Sequence, residues 1–264
     1  MLLPQLFALA FVQGITEFLP ISSSGHLILL PQLTGWADHG LAYDVAAHFG
    51  TLIAVVCYFR GDLSTMLSHW FHNLAGGVAT GYSRLMWAVL WATTPVCVFG
   101  LLFHDFIAQQ LRDPLIIAAT TIGFGIVLLL ADRLGSRRRT VESITWRDVV
   151  VVGFAQALAL VPGTSRSGIT ISAALALGLT REAAARFSFL LSIPVIVLAT
   201  GYETSQLLGS SITVDWGALL TVSVVACVSA FACIAVFMRF LERLGMLPFV
   251  LYRFALGALL IAML

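Results

Sequence analysis

Apolar residues in this chain gather in long blocks, with the polar residues collected between them, so the first question is which blocks can cross a bilayer. A helix rises about 1.5 Å per residue and the hydrocarbon core is about 30 Å thick, so a full crossing takes about 20 largely apolar residues. Six blocks approach that length: residues 41–59, 85–103, 114–131, 187–202, 216–238 and 249–264. Two further apolar regions, about 3–33 and 149–179, are broken near the middle by Pro, Gly, Ser and Thr, leaving two short arms around a polar tip. Neither arm spans by itself. Broken backbone at membrane depth is tolerated where its freed groups are buried in protein or face water, so both regions are expected to be re-entrant hairpins that build a site. Hydropathy by itself equally allows two short helices lying on the membrane surface.

Internal similarity favours the hairpins. From Phe11 the first region reads FVQGITEFLPISSSGH, and from Phe154 the second reads FAQALALVPGTSRSGI. Gln13 and Gly25 are twelve residues apart, as are Gln156 and Gly168, with a Pro and a Ser-containing tip between them in both. Three spans follow each region. Duplicated halves with broken helices in corresponding positions place a site at the interface of the repeats. The expectation is an all-α integral membrane protein, one membrane domain over 1–264, with six transmembrane helices and two re-entrant hairpins. The first repeat is 1–131 and the second 148–264, joined by a basic linker at 132–147.

Arginine placement gives the orientation, because cytoplasmic loops collect positive charge. The linker region holds Arg133, Arg137, Arg138, Arg139 and Arg147. With it inside, Arg60, Arg84, Arg181, Arg186, Arg239 and Arg243 also fall inside. The loops bearing Asp105, Arg112 and Asp113, or Glu203 and Asp215, fall outside. Both termini are then external, and the second hairpin enters from the side opposite the first, so the halves are inverted.

Composition narrows the class further. Of 264 residues, 59% are hydrophobic and only 10% charged, with 14 basic residues that are all Arg. Soluble domains carry about 25% charged residues, so a water-soluble protein is excluded, and the apolar content excludes a disordered chain. A net charge of +1 gives no field for collecting nucleic acid. Cys57, Cys97, Cys227 and Cys233 sit in apolar runs without zinc-type spacing and read as packing residues. Residues 1–11 lack the basic start of a cleaved signal, so this segment is expected to stay as structure.

Ionisable groups inside a membrane are costly unless paired or hydrated, which marks each as a functional candidate. Gln13 and Glu17, four apart, share a helix face and can offer oxygens to a hard cation such as Mg²⁺ or Ca²⁺, with substrate phosphate completing the shell. A surface glutamate near the bilayer boundary is the plain alternative. In Ser22, Ser23, Ser24, Gly25, His26, hydroxyls precede an imidazole that can take a proton from Ser23, Ser24 or water, although such spacings are also common in turns. The string from Pro162 to Gly168 is the most specific. Gly163 and Gly168 permit close backbone approach, a helix starting near Ser167 aims free amides at the tip, and Arg166 can fork onto phosphate oxygens, with Thr164, Ser165 and Thr170 adding hydroxyls. Asp44 and His48 read as a mutually satisfied pair, and Trp36, Trp70, Trp87, Trp146 and Trp216 as interfacial anchors.

Together these motifs make the sequence similar to the bacterial undecaprenyl pyrophosphate phosphatases, the BacA-like family. That family carries a Glu/Gln-x-x-x-Glu motif, a Ser-Ser-x-Gly-His stretch and a Pro-Gly-x-Ser-Arg-Ser-x-x-Thr motif, matched here by Gln13 to Glu17, Ser22 to His26 and Pro162 to Thr170. The resemblance implies a divalent-metal-dependent enzyme of the bacterial cytoplasmic membrane whose site opens to the outer face. Such an enzyme removes the terminal phosphate of undecaprenyl pyrophosphate, recycles the lipid carrier for envelope glycans and confers bacitracin resistance. Some members have two glutamates where this chain has Gln13 and Glu17, so a two-carboxylate metal site is not expected. Glu17, Ser23, His26 and Arg166 are the expected catalytic residues, with Ser23 the preferred nucleophile and water the other choice. Gln13 and Glu17 are the expected metal ligands. Ser22, Ser24, Gly163, Thr164, Ser165, Arg166, Ser167 and Thr170 are expected at the phosphates. Partners are a polyprenyl pyrophosphate and membrane lipids, and a homodimer is a general expectation with no residue singled out for it. A secondary transporter or flippase of a polyprenyl phosphate is the competing reading, since inverted repeats with broken helices serve carriers equally well.

Overall fold

A computed structural model describes residues 3–36, 40–111, 113–208 and 215–263. Arg112, one of the residues placed in an outer loop, lies outside them. Among the described residues the chain forms twelve α-helices and no strand. They are α1 (Leu3–Thr16), α2 (Ser23–Thr34), α3 (Leu41–Tyr58), α4 (Arg60–Leu74), α5 (Gly81–Leu102), α6 (His104–Gln110), α7 (Pro114–Leu134), α8 (Trp146–Ala157), α9 (Arg166–Ala176), α10 (Arg181–Leu208), α11 (Trp216–Leu244) and α12 (Leu247–Ala262).

Five of these, α3, α5, α7, α10 and α11, are long and apolar enough to cross a membrane. The sixth expected span, 249–264, is a helix of 16 residues. That is about 24 Å at 1.5 Å per residue, short of a full hydrocarbon core. Its start is fixed by the turn at Gly245, where φ is 63°, and by Pro248 in the first helical turn. Helices α4 and α6 are additional to the expected spans. Both are too polar or too short for a search based on apolar length to find them.

Both interrupted regions break as expected. Helices α1 and α2 flank a tip at residues 17–22, and α8, extended by a 3-10 turn at Leu158–Leu160, and α9 flank a tip at 161–165. Each first arm packs on a long helix from the other half of the chain, α1 on α11 and α8 on α5. Helix α3 also packs on α11, and α7 on α12. With no hydrophobic drive between helices in lipid, close approach depends on small residues. A Cβ on Gly14 would overlap Ser229 Oγ, and one on Gly50 would overlap the carbonyl oxygen of Ser223, so α1 and α3 both meet α11 backbone to backbone. Larger residues there would push α1, and the tip it carries, off its seat.

Charged residues collect at one end of the bundle. Arg139 forks onto Asp148 at 2.9 and 2.6 Å, Arg181 onto Asp132 at 2.6 and 2.9 Å, and Arg186 onto Asp62 at 2.9 and 2.5 Å. The linker, the start of α4 and the start of α10 therefore share a side, as the arginine count requires. Buried Phe18, within the first tip, meets Phe189 edge-on, and Phe189 also meets Phe59 edge-on and Phe237 at a tilt.

Candidate active site

The two tips are built alike. Ser22 and Ser165, each nine residues after its glutamine, have φ of 72° and 70°, a conformation L-residues rarely adopt and one that costs about 1–3 kcal/mol. Each lies just before a helix and accepts from a backbone amide three residues on: Gly25 N to Ser22 Oγ at 3.4 Å, and Gly168 N to Ser165 Oγ at 3.2 Å. In both tips that serine also meets the serine two residues further, Ser22 with Ser24 and Ser165 with Ser167, at 3.2 Å each.

The tips then join. Gly163 N donates to Ser24 Oγ at 3.2 Å, and Ser167 Oγ donates to the Leu19 carbonyl at 2.9 Å. Each hairpin thus extends one serine to the other's turn. The starts of α2 and α9 converge, bringing together amides that have no partner inside their helices. Helix termini of this kind attract anions.

Glu17 lies at the centre. Its Oε1 accepts from Arg166 Nη2 at 2.8 Å and its Oε2 from Gln13 Nε2 at 2.8 Å. Both charged side chains are mostly enclosed, 12% and 11% exposed, so neither charge is answered mainly by water. The Arg166 guanidinium also stands 6.0 Å over the Phe18 ring and reaches the Ser188 carbonyl at 3.5 Å. Thr170 Oγ1 pairs with Ser188 Oγ at 2.7 Å and accordingly braces the Arg166 turn from behind. Gln13 is buried and its Nε2 also lies 3.0 Å from His48 Nδ1, which gives His48 a partner on α1.

His26 stands on the other flank. Its Nδ1 is 2.7 Å from the Ser22 carbonyl, which can only accept, so Nδ1 carries the proton and Nε2 has the free lone pair. Tyr252 OH lies 2.6 Å from that Nε2 and donates to it when the imidazole is neutral; the two rings stack with centroids 5.5 Å apart. No hydrogen bond joins His26 to Ser23 or Ser24 among the described residues. Ser23 is partly exposed at the start of α2, and its hydroxyl has no hydrogen-bond partner among the described residues. Thr164, in the second tip, is fully buried, and its Oγ1 has no partner among the described residues.

The residues expected at the site thus fall into one assembly: Gln13, Glu17, Arg166 and Thr170 in the ionic centre, Ser22, Ser24, Gly163, Ser165 and Ser167 in the joined tips, and Ser23 and His26 at the side. Sequence reasoning passed over Tyr252, Ser188 and Arg253. The last is a fully buried arginine in α12 and carried a usable signal, an ionisable residue inside an apolar block.

Oxygen donors for a hard cation are present but few. Gln13 Oε1 is buried with no donor among the described residues, while the Nε2 of the same amide faces the Glu17 carboxylate. Among the described residues no three His, Cys, Asp or Glu side chains gather round one point. Such a pair suits an ion that draws most of its shell from substrate phosphate and water.

The family model for the bacitracin resistance protein BacA matches residues 6–259. A protein of Nitrosococcus oceani named undecaprenyl-diphosphatase is 57% identical over 255 residues, covering 97% of this chain and 96% of that one. Proteins named undecaprenyl-diphosphatase from Thioalkalivibrio sulfidiphilus and undecaprenyl-diphosphatase 2 from Stutzerimonas stutzeri are 55% and 54% identical, each over at least 97% of both chains.

Proposed function

We propose, from the premise that this chain belongs to the BacA family, that it is a multi-pass membrane enzyme hydrolysing undecaprenyl pyrophosphate to undecaprenyl phosphate and inorganic phosphate. This returns the lipid carrier to envelope glycan synthesis and confers bacitracin resistance. The observation that carries the reading is the Glu17–Arg166 pair, formed between two tips whose helix starts face one another. A diphosphate there meets Arg166, the amides at the starts of α2 and α9, and the hydroxyls of Ser22, Ser24, Ser165 and Ser167. Phosphoryl transfer asks chiefly for positioning and charge stabilisation, which these groups supply. As the phosphate engages Arg166, Glu17 is freed of its partner. Ser23, whose hydroxyl has no hydrogen-bond partner among the described residues, is placed to attack the terminal phosphorus, or water attacks in its stead; the P–O bond to the bridging oxygen breaks, undecaprenyl phosphate leaves, and His26 Nε2, once parted from the Tyr252 hydroxyl, accepts the nucleophile's proton. A phosphoserine formed at Ser23 is then hydrolysed by water to inorganic phosphate.

Gln13 and Glu17 would hold a divalent cation, Mg²⁺ or Ca²⁺, which would neutralise charge building on the phosphoryl oxygens. Arg166 and the helix starts supply further positive potential to the same phosphates.

The finer architecture is part of the proposal: two inverted repeats, 1–131 and 148–264, with re-entrant hairpins meeting at mid-depth, both termini outside and the site open to the outer face of the cytoplasmic membrane. Support comes from the matched tips, with positive φ at Ser22 and Ser165, and from the exchange of partners, α1 on α11 and α8 on α5. An apolar recess lies behind each hairpin at matching positions. One, of about 420 Å³, runs past Phe11, Ile15 and Leu19, and the other, of about 260 Å³, past Phe154, Leu158 and Val161. Either suits the first isoprene units of a prenyl tail.

If the halves are inverted, the recesses open to opposite leaflets, and this favours one second reading, movement of the lipid phosphate between leaflets. Phosphate release by purified protein in detergent, with a prenyl pyrophosphate and titrated Mg²⁺ or Ca²⁺, separates the two. Release is expected, and its absence at every metal concentration would leave transport as the sole activity.

A further inference from the structure

We infer that Arg253 is a positioning residue for this reaction: it fixes the two hairpin tips against α7 and holds a buried positive charge behind the place where they meet. The inference rests on the diphosphatase reading.

Arg253 is fully buried, and all five of its N–H groups are engaged by backbone carbonyls. Nε donates to Thr121 at 2.9 Å, Nη1 to Thr164 at 3.0 Å and to Pro20 at 3.4 Å, and Nη2 to Gly163 at 3.0 Å and to Thr120 at 3.4 Å. Those carbonyls belong to three separate segments: the first tip, the second tip and α7. With every donor used, Arg253 has none left for a substrate, so any effect on the reaction passes through the tips.

Geometry gives that effect a direction. In a planar trans peptide the carbonyl and the following amide point opposite ways. Drawing the Thr164 carbonyl toward Arg253 therefore turns the Ser165 amide away from it. A second tie comes from α7, where Thr120 Oγ1 donates to the Pro162 carbonyl at 2.6 Å. The close fit also explains Gly168, where a Cβ would stand 2.9 Å from Arg253 Nη1. A displacement of either tip breaks at least one of these bonds.

No carboxylate stands among the partners of Arg253 in the described residues, in contrast to Arg139, Arg181 and Arg186. Carbonyl dipoles solvate the guanidinium and leave its net charge unanswered. Charge interactions are strong in a medium this poor in water, so a diphosphate seated between the tips is attracted by Arg253 without touching it.

Arg253→Lys keeps the charge and loses the fork, whereas Arg253→Gln loses the charge and keeps a shorter hydrogen-bonding group. With purified full-length variants and a prenyl pyrophosphate, Arg253→Lys is expected to hold KM within about threefold while kcat falls about 100-fold, the scale of a misplacement near 1 Å. Arg253→Gln is expected to lose a similar factor in kcat, to raise KM about tenfold, and to weaken stabilisation by inorganic pyrophosphate in thermal unfolding, as loss of one charge contact would. Wild-type kcat in folded Arg253→Lys and Arg253→Gln would overturn the inference. So would a loss that merely tracks the fraction of folded protein, with wild-type turnover per folded molecule. If Arg253→Gln does not fold, the split between KM and kcat in Arg253→Lys decides alone. Wild-type protein that neither releases phosphate nor is stabilised by pyrophosphate would instead sink the diphosphatase reading.

Discussion

Glu17 has both oxygens committed within the protein, one to Arg166 and one to Gln13, so its role is set by what a substrate displaces. Glu17→Gln should leave the protein folded and lower phosphate release about 100- to 1000-fold, the scale of losing one charged group at a transition state. Arg166→Ala should cost as much, read in the same assay. Wild-type turnover in either variant would remove the ionic centre from the mechanism. Tyr252→Phe keeps the stack on His26 and deletes one hydrogen bond, worth about 1 kcal/mol, so kcat should change about tenfold or less while the far larger losses at Glu17 and Arg166 persist. Much of this centre is legible in the sequence, because Glu17, His26 and Arg166 stand as polar exceptions in apolar surroundings. Arg253 meets the same criterion inside the block 249–264, but no cluster of Gly, Ser and Pro surrounds it to mark a site. Tyr252 gave no such signal, since an aromatic residue in an apolar helix usually packs. In the sequence, spacing pairs His48 with Asp44, its neighbour one helical turn away. Its contact with Gln13 depends on how α3 lies beside α1, which no spacing reveals.

Among the elements, both broken regions were readable because proline, glycine and serine interrupt apolar runs at the same offset from a glutamine. The start of α12 was not: the helix begins at Leu247, two residues before the block at 249–264, because the turn at Gly245 sets it. The polar helices α4 and α6 were missed for the opposite reason. The second hairpin is anchored at its entrance by Asp148, which accepts from Arg139 and from the amide and hydroxyl of Thr145 at 2.7 and 2.8 Å. Burial pushes the Asp148 carboxyl up, but the bonds from Arg139 and Thr145 outweigh it and hold the group below its ordinary value. A depressed carboxyl adds stability at neutral pH that disappears as pH falls through its folded value. Asp148→Asn should therefore lower stability by about 2–3 kcal/mol at neutral pH and flatten the acid side of the thermal-unfolding profile. An unchanged profile would show that the anchor contributes nothing to holding α8.

For the whole molecule, the arginine count and the ion pairs agree on one charged end, and this makes the orientation testable. In a background without the four native cysteines, Ser136→Cys, exposed in the linker, should react with an impermeant maleimide only in inside-out vesicles. Gln206→Cys, exposed at the far end of α10, should react only in right-side-out ones. Labelling of both from the same side would refute the topology. The exchange of serines between the tips has a further consequence for how the chain can be divided. Neither half owns a finished site: Ser24 completes the turn at Gly163, and Ser167 completes the turn at Leu19. A polypeptide cut between the exposed Arg137 and Arg138 should thus purify from cells making both fragments as a single particle that still releases phosphate, while either fragment made without its sibling should be inert.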